Sequence, residues 1–315
     1  MKKATRFKLD PKNSGWIPHK ERTAAVKLSY ERIMQDAPEF RVVGSEIKGS
    51  WDGVTDVRLD HIFAKVSGGN EADIQAIGDC VGHGSARMKG YTLCCDIHIR
   101  GEEEEYPGVL QASEWDYGAS RVIQGGGRLG GGDGSVGAWV AKVWTDNGSL
   151  IRKKYEINGK TYDLTKYDGR RAKDWGGRKF PYELEVIADE HPTSGLFVPV
   201  LDFDNAADLL DNGYSFIVCS NQGFDDTRDK DGFLTPRGTW NHCMVAFGVK
   251  AGREGIGLDN KSWPDCFRGP NPDNVPSSCG WVDRKTWNRM LGQRDSFAAP
   301  GYEGFKKTTI DWSLF

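Results

Sequence analysis

Three side chains in this sequence have the types and local settings that nucleophilic catalysis requires, and the first is a cysteine. Cys80 follows Gly78 and Asp79 and precedes a run of small and apolar residues, which predicts a helix with Asp79 as its N-cap. A cysteine attacks as its thiolate, and a helix N-terminus lowers the pKa of a thiol. An isolated cysteine is more often an inert packing residue, so this one needs partners.

Two downstream segments offer those partners. His242 opens an apolar strand that runs to Val249, and such a strand can hold an imidazole rigidly at the edge of a cleft. Asn260 and Trp263 then place an amide close to an aromatic ring. A histidine at a strand start is by itself more often a satisfied polar residue, so the combination of segments is what indicates thiol chemistry.

The first part of the chain offers fewer signals. Residues 1–50 are interpreted as an N-terminal extension with one loosely periodic helix, Arg22 to Gln35, and a strand-like run follows at His61 to Val66. The extension has no clear helical propeptide pattern. We therefore expect it to serve for attachment rather than to cover a cleft.

The rest of the chain divides into a helical part and a β-rich part. Helices are predicted from Cys80 onward and from Val136 to Asp146, with a glycine-dense loop, Gly125 to Gly134, between them. Turn residues separate the later elements. These are short strands at 196–201, 215–219 and 243–249 and a helix near Asn205 to Asp211.

Together these segments resemble the papain-like (C1-type) cysteine peptidases, and most closely their compact forms in tailed bacteriophages and bacteria. The shared features are Gly78-x-Cys80 before a small-residue helix, Asn241-His242 before an apolar strand, and Asn260 close to Ser262-Trp263. The resemblance implies an α+β, two-lobed papain-like fold with the active-site cleft between the lobes.

In this resemblance the peptidase domain covers residues 51–315. The helical lobe is expected at about 51–190 and the β-rich, barrel-like lobe at about 191–315.

The resemblance also implies a mechanism. His242 would take the proton of Cys80, and the thiolate would attack a peptide carbonyl to form a thioester acyl-enzyme that water hydrolyses. Asn260 would orient the histidine. Because Lys261 separates Asn260 from Ser262-Trp263, Asp259 is the alternative for this role.

Further roles follow from the same resemblance. The backbone N–H of Cys80 and the amide of Gln75 would hold the oxyanion, although Gln75 lies one position nearer the cysteine than the family's glutamine. Trp263 would screen the histidine–asparagine hydrogen bond. Substrate contacts are assigned to Trp263 and to the backbone of Gly125, Gly126 and Gly127.

A helix terminus and an imidazolium neighbour predict that the pKa of Cys80 lies well below the ~8.5 of a free cysteine. Cys80 should then react ahead of the other cysteines.

Two alternative functions remain open. One is a catalytically weak or inactive papain-like structural or binding protein of a phage particle, and the other is a thiol-dependent amidase or transferase on the same fold.

Composition narrows the function classes. With 42 basic and 45 acidic residues among 315, the net charge of −3 gives no electrostatic footprint for nucleic acid, and none is expected as a partner. No apolar run is long enough for a membrane span, and no signal peptide is recognised. We expect a soluble protein in the host cytoplasm or on a virion, with a peptide or protein substrate and virion proteins as candidate partners.

Cysteine usage and motif spacing give no sign of a cofactor. Seven cysteines, two of them adjacent, predict reduced thiols rather than a regular disulfide framework. The run from Gly125 to Gly130 fits G-x-G-x-x-G, but further glycines follow where a dinucleotide fold needs a helix. No metal-ligand spacing is found, so neither metal nor cofactor is expected.

Overall fold

The computed structural model describes residues 14–18, 28, 31–33, 47–69, 73–101, 111–193, 197–260, 262–263, 265–300 and 305–315. The helices are α1 (Leu59–Ser67), α2 (Cys80–Cys95), α3 (Ser113–Ala119), α4 (Gly137–Asp146), α5 (Gly169–Trp175), α6 (Glu185–Ala188), α7 (Phe203–Asp211) and α8 (Arg284–Leu291). π-Helical turns extend α2 and α3 at Asp96–Arg100 and Ser120–Gln124. Within the described ranges, none of the helices has the length and apolar character needed to cross a membrane.

Most strands come from the second half of the chain and form one antiparallel sheet. The strands are β1 (Val57–Arg58), β2 (Lys154–Ile157), β3 (Lys160–Asp163), β4 (Val198–Pro199), β5 (Phe216–Arg228), β6 (Leu234–Lys250), β7 (Gly255–Asp259), β8 (Cys279–Asp283) and β9 (Phe297–Ala298). The seven-stranded sheet has the order β4-β9-β5-β6-β7-β8, with β1 also paired to β6, while β2 and β3 form a separate hairpin. A helix-rich first half and a sheet-rich second half confirm the predicted α+β class.

The predicted elements near the site agree with the observed ones, and one earlier element does not. α2 begins at Cys80 and α4 begins one residue after the predicted start. The run from His61 to Val66 is helical in α1 and not a strand, because Leu59, Ile62 and Phe63 are buried at helical spacing. Of the helix predicted at Arg22 to Gln35, residues 28 and 31–33 are helical, and the others lie outside the described residues.

α2 is almost completely buried, and its small residues make that possible. A Cβ at Gly82 would lie 2.5 Å from the carbonyl oxygen of Ser113 in α3. A Cβ at Gly84 would lie 2.7 Å from Sγ of Cys243 in β6. Glycine lowers helix propensity, but here it allows α2 to pack closely against a helix on one side and the central strand on the other.

Buried ion pairs fix α2 between these two layers. Lys89 Nζ donates to Asp116 Oδ1 of α3 over 2.9 Å. Arg87 Nε lies 3.2 Å from Asp259 Oδ2 at the end of β7, and the Tyr91 hydroxyl donates to the same oxygen over 2.7 Å. Removing one partner of such a pair leaves an uncompensated buried charge. The position of the α2 N-terminus is therefore set from both layers.

The close contact between Gly82 and the backbone of Ser113 predicts that a larger residue at position 82 lowers stability. Gly82→Ala should lower the free energy of unfolding by about 1–3 kcal/mol, because the added methyl group meets backbone that cannot move aside easily. Gly252→Ala is the matched control, since a Cβ there meets nothing within 4 Å. Urea unfolding followed by circular dichroism measures both. Equal stability of the two variants would contradict the close packing of α2.

Candidate active site

Cys80 is the first residue of α2 and its side chain is fully buried. The backbone carbonyl of Asp79 accepts from Gly82 N (2.9 Å) and His83 N (3.2 Å), which forms the first helical turn. The predicted N-cap role of the Asp79 side chain is wrong: that side chain makes no capping bond, and Oδ2 instead accepts from the Tyr167 hydroxyl over 2.8 Å. The thiol still lies at the positive end of a 16-residue helix.

His242 lies in β6 and contacts Asn260. The Nε2 atom of the imidazole is 2.8 Å from Oδ1 of Asn260, and both side chains are buried. An acceptor at Nε2 places the ring proton there, which leaves Nδ1 as a proton acceptor. Nδ1 is buried and has no hydrogen-bond partner among the described residues. This is the tautomer that a general base needs.

The two elements bring the thiol next to the histidine segment. The backbone of Cys243, which directly follows His242, hydrogen-bonds the Cys80 thiol. Gly84, one turn further along α2, is the residue that allows this close approach to Cys243. The β5–β6 register is also irregular between Ser220 and Gln222, immediately beside the Ser220–His242 pair. Such bulges often lie next to active sites.

The two candidates for orienting the histidine have different partners. The Asp259 carboxylate accepts from Tyr91 and from the Ser278 hydroxyl (3.0 Å) and pairs with Arg87. Asn260, not Asp259, contacts His242. The inserted Lys261 lies outside the described residues.

Trp263 stacks on the imidazole of His242. The ring centroids are 4.0 Å apart and the planes differ by 7°. Trp240 packs edge-on against Trp263 at 5.5 Å. The indole therefore covers one face of the histidine, and its assigned contact with substrate stays a prediction because it is buried here.

Gln75 lies close to this group but has another partner. Its backbone N–H donates to the Ser262 carbonyl (3.0 Å), and its Nε2 donates to the Ile77 carbonyl over 2.6 Å. One of its two amide hydrogens is therefore bound to backbone. The oxyanion role of Gln75 stays a prediction.

The glycine-rich loop is held from inside by Arg121. Gly125 N donates to the Ser120 carbonyl and Gly127 N to the Arg121 carbonyl, so these N–H groups are satisfied within the loop and its preceding helix. The buried Arg121 guanidinium donates to the carbonyls of Gly130, Gly132, Gly134 and Gly176. The loop is consequently a fixed wall.

A short extended segment, residues 14–18, runs between this wall and β6. Ser135 N donates to the Gly15 carbonyl (2.8 Å), and Ile17 N donates to the Ser135 carbonyl (2.9 Å). On the other side, Trp16 N donates to the carbonyl of Asn241 over 3.2 Å. The wall residue that pairs with this extended segment is therefore Ser135, and the substrate contacts assigned to Gly125, Gly126 and Gly127 stay a prediction. The available signal for Ser135 was its position two residues before α4, at the end of the glycine run.

Gly15 covers the thiol itself. Its backbone N–H donates to Cys80 Sγ over 3.2 Å. A Cβ at this position would lie 1.9 Å from the Gly78 carbonyl oxygen, so only glycine fits. The expectation that the extension serves for attachment is reversed for these five residues, because they lie across the nucleophile.

Cys80 and His242 are both uncharged in the covered site. Burial raises the pKa of the Cys80 thiol far above its usual range, more than hydrogen bonds from the Cys243 and Gly15 backbones lower it. Burial also lowers the pKa of His242 to about 3, despite the opposing hydrogen bond to Asn260. The predicted low pKa of Cys80 is therefore wrong for this state, because desolvation outweighs the helix terminus. All seven cysteines are buried thiols outside any disulfide.

Comparison with known proteins identifies the fold. No protein-family model and no curated protein sequence matches the chain. Among solved structures it is similar to xylellain, a cysteine protease from Xylella fastidiosa, with 16% identity and a TM-score of 0.55 over 95% of this chain and 99% of that chain. It is also similar to procathepsin B S9 from Trypanosoma congolense, with 10% identity and a TM-score of 0.51 over 90% of each chain. The predicted papain-like fold is confirmed, and the lobe boundary near residue 190 stays a prediction.

The lowered pKa of His242 predicts an acid-dependent loss of stability. Below about pH 6.5 the unfolded chain binds a proton at this imidazole that the folded protein does not bind. Folding stability therefore falls as the pH falls from 6.5 toward 3, by at most about 1.4 kcal/mol per pH unit for this one group. In His242→Gln this contribution disappears, so unfolding free energies measured between pH 6.5 and 4 should decrease less steeply than in the wild type.

The matched control for this titration is Gly252→Ala, which changes no titratable group and lies at an open surface position. Its pH profile should remain parallel to that of the wild type. A His242→Gln profile as steep as the wild-type one would show that the imidazole is accessible to protons in the folded protein.

Proposed function

We propose that this protein is a cysteine peptidase whose described state is latent, with Cys80 as nucleophile, His242 as general base and Asn260 as the orienting residue. One observation carries the proposal. The buried His242 imidazole is bound at Nε2 by Asn260 and leaves Nδ1 as a proton acceptor, in the strand that packs against the helix starting at Cys80. The papain-like fold supports peptidase chemistry at a general level.

The reaction follows from these groups. Nδ1 of His242 takes the thiol proton, and the Cys80 sulfur forms a bond to the substrate carbonyl carbon while the carbonyl π electrons move to oxygen. The tetrahedral intermediate collapses, the amide C–N bond breaks, and the imidazolium gives its proton to the leaving amine. Water then attacks the thioester with His242 as base, which releases the acid and restores the thiol. The backbone N–H of Cys80 and the Gln75 amide are the proposed oxyanion donors.

The contents of the cleft favour a polypeptide substrate over a small molecule. Residues 15–17 lie extended, and main-chain hydrogen bonds reach them from Ser135 on one side and Asn241 on the other. These bonds recognise peptide backbone in general. The same thiol chemistry would serve an amidase or a transferase, and peptide hydrolysis is proposed because the cleft accepts a peptide strand. A phage or virion setting stays a prediction.

The covering segment explains the neutral Cys80–His242 pair. A thiolate–imidazolium pair needs solvation or close charge partners, and the buried site disfavours both charges. Displacing residues 14–18 would admit water and substrate. We therefore propose that uncovering the cleft converts a resting thiol into a nucleophile.

The proposal predicts that displacing the segment unmasks activity. Gly15→Val cannot fit against the Gly78 carbonyl, and a clash that costs the closed state about 1–3 kcal/mol shifts the closed–open equilibrium roughly five- to a hundredfold toward open. The full-length variant should therefore cleave an unfolded protein substrate such as reduced casein at least about fivefold faster than the wild type. New peptide termini are identified by mass spectrometry.

Two matched variants interpret that result. Gly15→Val combined with Cys80→Ala should show no cleavage, which excludes a contaminating protease. Gly252→Val, at an open surface position, should remain as slow as the wild type. The peptidase proposal fails if the Gly15→Val protein is folded by circular dichroism and leaves casein, peptides and Cys80-directed reagents all unreacted.

A further inference from the structure

The side chain of Trp16 occupies a closed pocket beside the nucleophile. Its backbone lies between Ser135 and Asn241, and its indole is only 3% exposed. Indole Nε1–H donates to Asp295 Oδ2 over 2.7 Å, at the far end of the pocket. Burial of so large a side chain with its one polar atom satisfied is a specific fit and not incidental surface contact.

Asp295 is built into the pocket wall. It is completely buried, and its carboxylate also accepts from Gly137 N (Oδ2, 2.9 Å) and Ala138 N (Oδ1, 2.9 Å) at the start of α4. A Cβ at Gly137 would lie 2.9 Å from the Asp295 Cγ atom, so glycine is needed for this approach. The 10-residue helix α4 stabilises the negative charge at its N-terminus. The wall is thus fixed whether or not Trp16 is present.

The pocket lies next to the reacting groups. Gly15, which directly precedes Trp16, donates its backbone N–H to Cys80 Sγ over 3.2 Å. Trp16 N itself donates to the carbonyl of Asn241, the residue directly before His242. A side chain that reaches Asp295 therefore belongs to a residue lying in the cleft close to the thiol.

When Trp16 leaves, one hydrogen-bond donor to a buried carboxylate leaves with it. An apolar side chain of the same size would exclude water from Asp295 without replacing that donor, which is costly for a buried charged group. A side chain with an N–H at the same place would restore the bond. Sites built to hydrogen-bond a ligand group discriminate strongly against analogues that lack the group.

We propose that the pocket occupied by Trp16 is the side-chain specificity pocket of the enzyme, and that Asp295 selects peptide substrates carrying an aromatic side chain with an N–H donor at its far edge. Tryptophan is the natural side chain of this class. This inference rests on the proposed peptidase function, and Trp16 acts in the latent state as an internal mimic of the preferred residue. Asp295 is a specificity-determining residue and takes no part in bond breaking.

The test uses full-length Trp16→Ala, in which the pocket is vacated, and two matched peptidyl epoxides. One epoxide carries tryptophan, and the other carries benzothienylalanine, in which sulfur replaces the indole N–H. The residue is placed at either of the two positions preceding the reactive group. Because a hydrogen bond to a charged group is at stake, the tryptophan probe should label Cys80 roughly ten- to a hundredfold faster. Labelling is followed by intact mass with the modified residue mapped.

Asp295→Asn in the Trp16→Ala background removes the charge while keeping the shape. The ratio between the two probes should fall toward one. Iodoacetamide, which has no side chain to place, should alkylate Cys80 at the same rate in both proteins and reports an intact fold. If Asp295→Asn does not fold, the comparison of the two probes on Trp16→Ala shows by itself whether the pocket selects a side chain with an N–H donor.

The outcomes separate this inference from the proposed function. Equal labelling by the two probes, with Cys80 reactive toward both, overturns the selection by Asp295 and leaves the peptidase proposal standing. No modification of Cys80 by either probe or by iodoacetamide in a folded Trp16→Ala protein that also carries Gly15→Val, so that the cover over the thiol is displaced as well, overturns the peptidase proposal itself.

Discussion

The close approach of α2 to β6 is the constraint on which the rest of the site depends. It brings Cys80, at the N-terminus of one element, against the segment that carries His242 in the other, and it exists because Gly84 has no side chain where Cys243 packs. The buried ion pairs of Lys89 and Arg87 hold α2 at this distance from both layers. The relative position of Cys80 and the His242 segment therefore follows from this contact.

The same tight packing determines how residues 14–18 cover Cys80. Residues 14–18 lie between the loop wall and β6, and glycine at position 15 allows the chain to pass directly over the thiol. Gly15 supplies the minimal volume over the thiol, and Trp16 supplies the anchor at Asp295. Burial then removes both charges that the chemistry needs. On the proposed function, residues 14–18 would exclude water from Cys80 and His242 while the contact of α2 with β6 that positions them is retained.

The elements that carry the candidate site could be predicted from the sequence because their signals are local. The start of α2 follows from small residues after Cys80, and the strand after His242 follows from its unbroken apolar run. α1 could not be recognised, because a short apolar run is compatible with a helix or a strand and only tertiary burial decides.

Other features depend on contacts between distant residues. The conformation of the glycine run depends on the carbonyls that Arg121 binds, so the pairing of Ser135 with residues 15 and 17 could not be predicted from the sequence. No sequence pattern singles out Gly15. Its position over Cys80 depends on a contact with a residue 65 positions further along the chain. The ionisation state of Cys80 was misjudged for the same reason, since the burial that raises its pKa comes from the packing of residues distant in the sequence.

The central claim is that residues 14–18 cover a competent thiol–imidazole pair, and the pH dependence of Cys80 alkylation tests it most directly. The rate with iodoacetamide is measured from pH 5 to 10 in the wild type, in Gly15→Val and in Gly15→Val combined with His242→Ala. We predict that the wild type is unreactive, that Gly15→Val reacts with a midpoint well below the ~8.5 of a free cysteine, and that removing His242 moves the midpoint back toward that value. A midpoint near or above 8.5 in the folded Gly15→Val protein, unchanged by loss of His242, would contradict the account.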